Sequence, residues 1–340
     1  MNPMQLLLAP SLSILLMVAT SLGQAQTIQG VGSSFPTALY NQWATIYQKQ
    51  TGVSVQYTSI GSTEGLTTIK RGKAAFAASN RPLKTEDLDA FDLLQFPVIM
   101  GGVAPIVNLA NVGAGQLRLS HSVLLDIYSG KINRWTDPAI RRLNPEIRLP
   151  AAPITVITRQ DPSGTTYLLS HYFSRISPEW KDKQGTGTTI KFPVGFTAKG
   201  IEGLMTLFFR QPNSITYVDY AFARKHRLAY VQLQNKAGNF VLPNFGSIQA
   251  AARSASWTGA MSNVTTDAPH PSAWPIASPS YIVMRRRHTD LDAAADAQHA
   301  LVFFNWAYNQ GDQIADDMDF VPLTPDVKAA VIRNVTDLLK

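Results

Sequence analysis

The chain has 340 residues, of which 45% are hydrophobic, and a formal charge of +7. That size and composition allow one large or two medium domains with a substantial core and exclude a disordered chain. The absence of cysteine excludes disulfides, thiolate metal sites, a cysteine nucleophile and a lipid-modified cysteine anchor, while the positive charge favours anionic partners.

Met1–Ala25 carries no charged side chain. Leu6–Leu16 is mostly apolar, and Gly23-Gln24-Ala25 places small residues at the −3 and −1 positions of a cleavage site. This predicts a signal peptide (1–25) cleaved near Ala25, although the usual Lys or Arg at its start is missing. Pro10 and several serines interrupt the segment too often for a membrane span, and no later segment approaches the roughly 20 apolar residues of one. The expected localisation is periplasmic.

Gly30-Val31-Gly32-Ser33-Ser34-Phe35-Pro36 precedes a helix with Leu39, Trp43, Ile46 and Tyr47 on one face, ending near Gly52. Val53–Tyr57 alternates like a strand and leads into Gly61-Ser62-Thr63-Glu64-Gly65. A short helix over Leu66–Arg71 then stops at Gly72. Ala75–Ser79 is a short apolar run, and Phe96–Val107 a longer one broken by Gly101-Gly102. Val123–Tyr128 reads as a helix ending at Gly130. Ile154–Thr158 is a strand that delivers Arg159 to the turn Arg159-Gln160-Asp161-Pro162-Ser163-Gly164-Thr165-Thr166, which opens a helix through Phe173. Trp180 and Trp274 read as packing aromatics near turns. Gly200–Phe209 is a further helix, Ser214–Val218 a strand, and a helix starts from Asp219. Tyr281–Met284 is a strand, and Leu301–Tyr308 a helix with Phe304 and Tyr308 on one face. The alternation predicts an α/β fold with parallel or mixed sheets covered by helices.

Three of these strand–turn–helix units share one device. A small-residue turn aims free backbone N–H groups and the positive end of a helix at one point. Around Arg159, Ser163 and Thr165 add hydroxyls, Gly164 permits close approach to the backbone, and the guanidinium supplies a planar fork for phosphate oxygens. One such turn alone reads as an ordinary capped helix. Three, each beyond the carboxyl end of a strand, would converge on one anion.

Catalytic signatures are missing. His121, His171, His226, His270, His288 and His299 show no metal-ligand spacing, and there is no nucleophile elbow or Walker loop. The expectation is a protein that is not an enzyme and needs no metal or cofactor. Arg285-Arg286-Arg287-His288 follows an apolar strand and reads as a solvated strand end; no nucleic-acid-binding pattern accompanies it.

Gly32-Ser33-Ser34-Phe35-Pro36, Gly61-Ser62, Phe76-Ala77-Ala78-Ser79, Gln95-Phe96-Pro97, Ile127–Ile132 and Arg159-x-Asp161-x-Ser163-Gly164-Thr165 occur in the order found in the periplasmic phosphate-binding proteins. Trp180-Lys181, Gly185-Thr186-Gly187, Tyr217–Ala221 and Ala273-Trp274-Pro275-Ile276 extend the similarity over nearly the whole chain after residue 25. The chain therefore resembles the substrate-capturing component of phosphate ABC importers.

This resemblance implies a two-lobed periplasmic-binding-protein fold with a hinge and an anion site between the lobes. Lobe 1 would comprise 26–103 and 268–340, and lobe 2 would comprise 104–267. Phosphate would be bound by Ser34, Phe35 (through its N–H), Ser62 and Asn80 from lobe 1, and by Arg159, Ser163, Gly164 and Thr165 from lobe 2. Asp161 would hold Arg159 in place. The partners implied are inorganic phosphate and an inner-membrane ABC permease with its ATPase subunits, the chain itself acting as a monomer. At Asn80 the family carries an acidic residue that accepts the phosphate proton, and Glu64 stands where the family has a small residue. Glu64 would either replace that acceptor or pair with Arg81, the favoured expectation. The alternative functions are a sulfate-tolerant binding protein for another tetrahedral oxyanion, or a phosphate scavenger or sensor without transport.

Overall fold

The structure, a computed structural model, describes residues 27–338 apart from 256, 258–260 and 289. The expected signal peptide and its cleavage position near Ala25 lie outside the described residues.

Strand β1 (Thr27–Gly32) leads to α1 (Thr37–Thr51), β2 (Ser54–Ser59) to α2 (Ser62–Lys70), and β3 (Phe76–Ser79) to α3 (Thr85–Ala90). The long β4 (Leu93–Asn108) follows, then β5 (Arg118–Leu119), α4 (His121–Tyr128) and α5 (Pro138–Leu143). Strand β6 (Thr155–Arg159) leads to α6 (Gly164–Ile176) and α7 (Pro178–Lys183), β7 (Phe196–Ala198) to α8 (Gly200–Arg210), and β8 (Ser214–Asp219) to α9 (Tyr220–Lys225). After β9 (Gln232–Gln234), β10 (Phe240–Val241) and α10 (Phe245–Arg253) comes β11 (Ala277–Arg285). Helices α11 (Leu291–Gln310) and α12 (Asp312–Asp317), strand β12 (Val321–Pro322) and helix α13 (Pro325–Leu338) end the described chain.

The main sheet runs β2-β1-β3-β11-β4-β8-β6-β7, with β12 also on β4. Strand β1 is flanked in parallel by β2 and β3, and β6 in parallel by β7 and β8, as short α/β units dictate. The two groups are joined by β4. Its first part pairs antiparallel with β11, ending at Gly102↔Ala277; its second pairs with β8, beginning at Val103↔Asp219. The Trp274 indole N–H donates to the Val103 carbonyl at 3.0 Å, fixing the point of changeover.

The break expected at Gly101-Gly102 is therefore absent: β4 is continuous. The glycines serve packing instead. A Cβ on Gly101 would stand 1.9 Å from the Phe35 ring, and one on Gly102 would stand 2.8 Å from Trp274. Helix α2 likewise starts at Ser62, four residues before the expected Leu66, because the cost of its turn is offset by tertiary contacts that periodicity does not register. Helix α1 follows the expected pattern, burying Leu39, Trp43 and Tyr47 and ending at a left-handed Gly52.

Each group has its own aromatic core. Tyr40, Trp43, Tyr57, Phe76 and Phe304 pack on one side, with Phe76 and Phe304 edge to face at 4.9 Å. On the other, Tyr128, Phe173, Trp180, Phe192 and Tyr217 pack together, Phe173 and Trp180 also at 4.9 Å. Edge-to-face pairs at such distances add to the stabilisation from burial and make each core a rigid base for the turns above it.

Candidate functional site

The carboxyl ends of β1, β2 and β3 are in register, Gly32 lying opposite both Ser59 and Ala78. The Gly32 carbonyl accepts from the N–H groups of Ile60 at 3.0 Å and Gly61 at 2.8 Å, and the Ser33 N–H donates to the Ala78 carbonyl at 2.9 Å. These bonds gather the turn before α1, the turn before α2 and Asn80 at one end of the sheet. Gly61, at φ 86°, makes the reversal into α2 that a side chain would disfavour.

Facing them is the end of β6. Arg159 is its last residue and is 6% exposed. Ser163 caps α6, its Oγ accepting from the Thr166 N–H at 3.5 Å, so the free N–H groups of the first turn begin at Gly164. The two sides touch: Thr63 and Thr188 hydroxyls are 3.0 Å apart, and a Cβ on Gly61 would reach the Pro162 carbonyl at 3.0 Å.

The closest approach is at Gly164. A Cβ there would stand 2.8 Å from Asn80 Oδ1 and 2.9 Å from Ser62 Oγ. Asn80 and Ser62 are fully buried, and Asn80 Nδ2 and Ser62 Oγ have no hydrogen-bond partner in the protein. Two orphaned polar atoms at one buried point are costly unless a ligand satisfies them. Asn80 Oδ1 is itself occupied, accepting from the Ser33 hydroxyl at 2.5 Å. Its Nδ2, with no partner, keeps both N–H groups for further bonding.

Arg159 and Asp161 form a fork-to-fork pair: Nε donates to Oδ1 at 2.9 Å and an Nη to Oδ2. Asp161 Oδ1 also accepts from the Gly200 N–H at 2.7 Å, at the start of α8. Burial opposes the Asp161 charge, but the bonds from Arg159 and Gly200 outweigh it and hold its carboxyl below the usual range. Both carboxylate oxygens are thus engaged by donors. Ser163 and Thr165 hydroxyls bond each other at 2.7 Å, and the Phe35 N–H reaches Ser33 Oγ at 3.3 Å.

A cavity of about 1000 Å³ adjoins this cluster, lined by Ser34, Phe35 and Gly61 on one side and by Arg159, Asp161 and Gly200 on the other. Asp219 also lines it; burial pushes its carboxyl up to about 7, against bonds from the Phe222 N–H and its own backbone. At the rim Arg224 Nε meets Asp319 Oδ1 at 3.2 Å.

The structure thus brings Ser62, Asn80 and Gly164 into contact distance, and sets Ser34, Phe35, Arg159 and Asp161 on one cavity. It does not bring in Glu64. That side chain is exposed on α2, and the expected Glu64–Arg81 ion pair is not formed among the described residues. The reason is helical phase: with Ser62 and Gly65 turned inward, Glu64 points to solvent. Sequence reasoning missed Ser33, Gly200 and Tyr217. The last accepts from the Arg159 N–H at 3.4 Å and bonds the Thr166 hydroxyl at 2.7 Å. Gly200 was legible as a helix start with free N–H groups, but nothing local tied it to Asp161, 39 residues earlier.

The model of the PBP superfamily domain matches residues 18–310. The phosphate-binding protein PstS of Pasteurella multocida is 44% identical over 306 residues, covering 89% of this chain and 88% of its own length. That of Haemophilus influenzae is 40% identical over 310 residues, covering 91% and 92%. Among solved structures, a high affinity periplasmic phosphate-binding protein bound with phosphate at pH 8.5 shares the fold with a TM-score of 0.72 at 21% identity, over 91% of this chain and 93% of that one. The phosphate binding protein from Stenotrophomonas maltophilia does so with a TM-score of 0.67 at 20% identity, over 90% and 93%.

Proposed function

Because this chain belongs to the phosphate-binding protein family of the PBP superfamily, we propose that it captures inorganic phosphate between its two lobes and delivers it to the permease of an ABC importer. One observation carries this: Ser62 and Asn80, each with an orphaned polar atom, stand beside Gly164 at the N-terminus of α6, which follows the strand that ends at buried Arg159. A buried dianion needs a donor for nearly every lone pair, and donors are what these elements supply.

In this reading Ser34, the Phe35 N–H, Ser62 and Asn80 bind from lobe 1 (26–103 and 268–340). Arg159, Ser163, Gly164 and Thr165 bind from lobe 2 (104–267), the Ser163–Thr165 bond opening so that both hydroxyls turn to the anion. Asp161 orients Arg159 and offsets part of its charge, so neutral dipoles carry most of the binding. The protein is exported to the periplasm, acts as a monomer, and binds without turnover. Titration calorimetry with phosphate, after removal of bound ligand, tests the proposal. One saturable site per chain is the expected result; no binding at millimolar phosphate overturns it.

A second reading has its own support. With an amide rather than a carboxylate at position 80 and both Asp161 oxygens already accepting from Arg159 or Gly200, the cluster itself has no unpaired carboxylate to accept a proton from the ligand, although Asp219 lines the adjoining cavity. The same site would then also take a fully ionised tetrahedral anion such as sulfate.

A further inference from the structure

A cationic cluster lies away from the cleft. Two adjoining recesses of about 550 and 540 Å³ open around α5 and the segment that follows it. The first is lined by Arg118 and Arg148, the second by Arg141, Arg142 and the same Arg148. One carboxylate, Glu146, is among the lining residues. None of the four guanidinium groups forms an ion pair with a carboxylate among the described residues, and all four side chains are exposed.

The wall between the recesses is fixed. Asn144 lines both and is 4% exposed; its Oδ1 accepts from the Arg118 N–H at 2.8 Å, and its Nδ2 donates to the carbonyls of Arg118 and Ile140, each at 2.9 Å. The Arg134↔Pro153 bridge ties this region to the chain entering β6. None of the residues lining the recesses lines the cavity beside Arg159. Arg141 and Arg142 complement the C-terminus of α5, which accounts for those two alone. Arg118 comes from β5 and Arg148 from the segment after α5, and helix charge does not explain them.

We propose that this pole is a second anion site, one that binds a linear polyphosphate chain. Guanidinium forks match phosphoryl oxygens bidentately, and a chain can engage both recesses across their shared wall where a single phosphate engages one. The concave shape favours a chain over a flat anionic bilayer. No large hydrophobic side chain between residues 111 and 149 is exposed to anchor in lipid, among those described. The proposal does not depend on what the cleft binds.

The test uses the mature chain with long-chain polyphosphate, orthophosphate and vesicles rich in phosphatidylglycerol, each titrated into the parent and two variants. The first combines Arg118→Ala, Arg142→Ala and Arg148→Ala; the second, Lys49→Ala, Lys73→Ala and Lys84→Ala, removes equal charge from exposed positions elsewhere. The arginine variant should lose polyphosphate affinity roughly tenfold or more, while the lysine variant changes less than about threefold and orthophosphate binding moves less than about twofold in either. No polyphosphate binding by the parent overturns the proposal. So do equal losses in both variants, which would reduce the effect to net charge, and an arginine-dependent preference for vesicles over polyphosphate.

Discussion

The Ser33 hydroxyl donates to Asn80 Oδ1 across 2.5 Å, and the amide NH₂ on the other side of that bond is buried without a partner. The pair sets the polarity of the cluster: the oxygen already accepts one bond inside the protein, while both N–H groups of the amide are left over. A carboxylate at position 80 would reverse this, presenting a charge that repels a fully ionised ligand. Two unit charges about 4 Å apart repel by roughly 4 kcal/mol at an effective dielectric near 20.

Asn80→Asp should therefore weaken sulfate binding tenfold or more while phosphate, which can carry a proton to the new carboxylate, changes far less. Glu64→Gln should alter neither, because Glu64 is exposed on α2. Competition titrations of sulfate against phosphate on the parent and both variants check this. A parent indifferent to millimolar sulfate counts against it.

Arg159→Ala should lower phosphate affinity by about 2–5 kcal/mol, since a buried anion would lose its one bidentate cation and Asp161 would be left beside it unpaired. Calorimetric titration measures the loss. Affinity within about threefold of the parent's would remove Arg159 from the site.

Gly164→Ala tests closure. The added methyl would meet Asn80 Oδ1 at 2.8 Å and Ser62 Oγ at 2.9 Å, contacts across the cleft rather than within α6. Alanine is the better helix former, so the fold should hold or gain slightly. Expected is a loss of phosphate affinity of tenfold or more with an unchanged melting temperature for the ligand-free protein. Equal affinity would mean that the two sides need not approach this closely.

Ligand should also shrink the particle, because the proposed contacts come from both lobes. The Arg224–Asp319 pair bridges the rim at half-exposed positions, so it is worth about 0–1 kcal/mol. Arg224→Ala should raise the dissociation rate no more than about fivefold and leave the ligand-bound dimensions intact. Small-angle scattering with and without saturating phosphate reads the closure, and identical dimensions would argue against a hinge.

Buried Asp219 and half-buried His171 give opposite pH dependences. Burial raises Asp219 to about 7, so the folded protein holds this proton more tightly than the unfolded chain does. Its contribution is present below about pH 4 and lost as pH rises towards 7. His171 is pushed down to about 4 by burial, with the Arg175 charge adding, and its ring bonds the Thr266 hydroxyl at 2.6 Å. Its contribution is absent below about pH 4 and grows as pH rises through 6.5. Between those values the two offset each other. Asp219→Asn, which keeps the cap on α9, should unmask a rise in stability with pH on the order of 2 kcal/mol, and His171→Gln a fall of similar size. Urea unfolding from about pH 4.5 to 6.5 reads both slopes. Slopes unchanged in both variants would show that these groups do not set the profile.

Much of this protein was legible without coordinates, because the relevant signals are local. Apolar periodicity marks α1 and the Leu301–Tyr308 part of α11, glycine marks the ends of α1 and α4, and the Arg159–Thr166 run announces a strand end, a capped helix and a fork for an anion. Each is a property of a few consecutive residues whose backbone geometry follows from their own sterics and hydrogen bonding. Tertiary structure decided what depends on residues far apart in the chain. It kept β4 continuous through two glycines, because the Phe35 and Trp274 rings occupy the space their side chains would need. It turned Glu64 to solvent, gave Asp161 a second donor from Gly200, and set Asn80 and Ser62 against Gly164. Periodicity specifies which face of an element is buried, but not which atoms it is buried against. That depends on packing between elements, where close-fitting rings and unpaired polar groups across the cleft decide the geometry of the site.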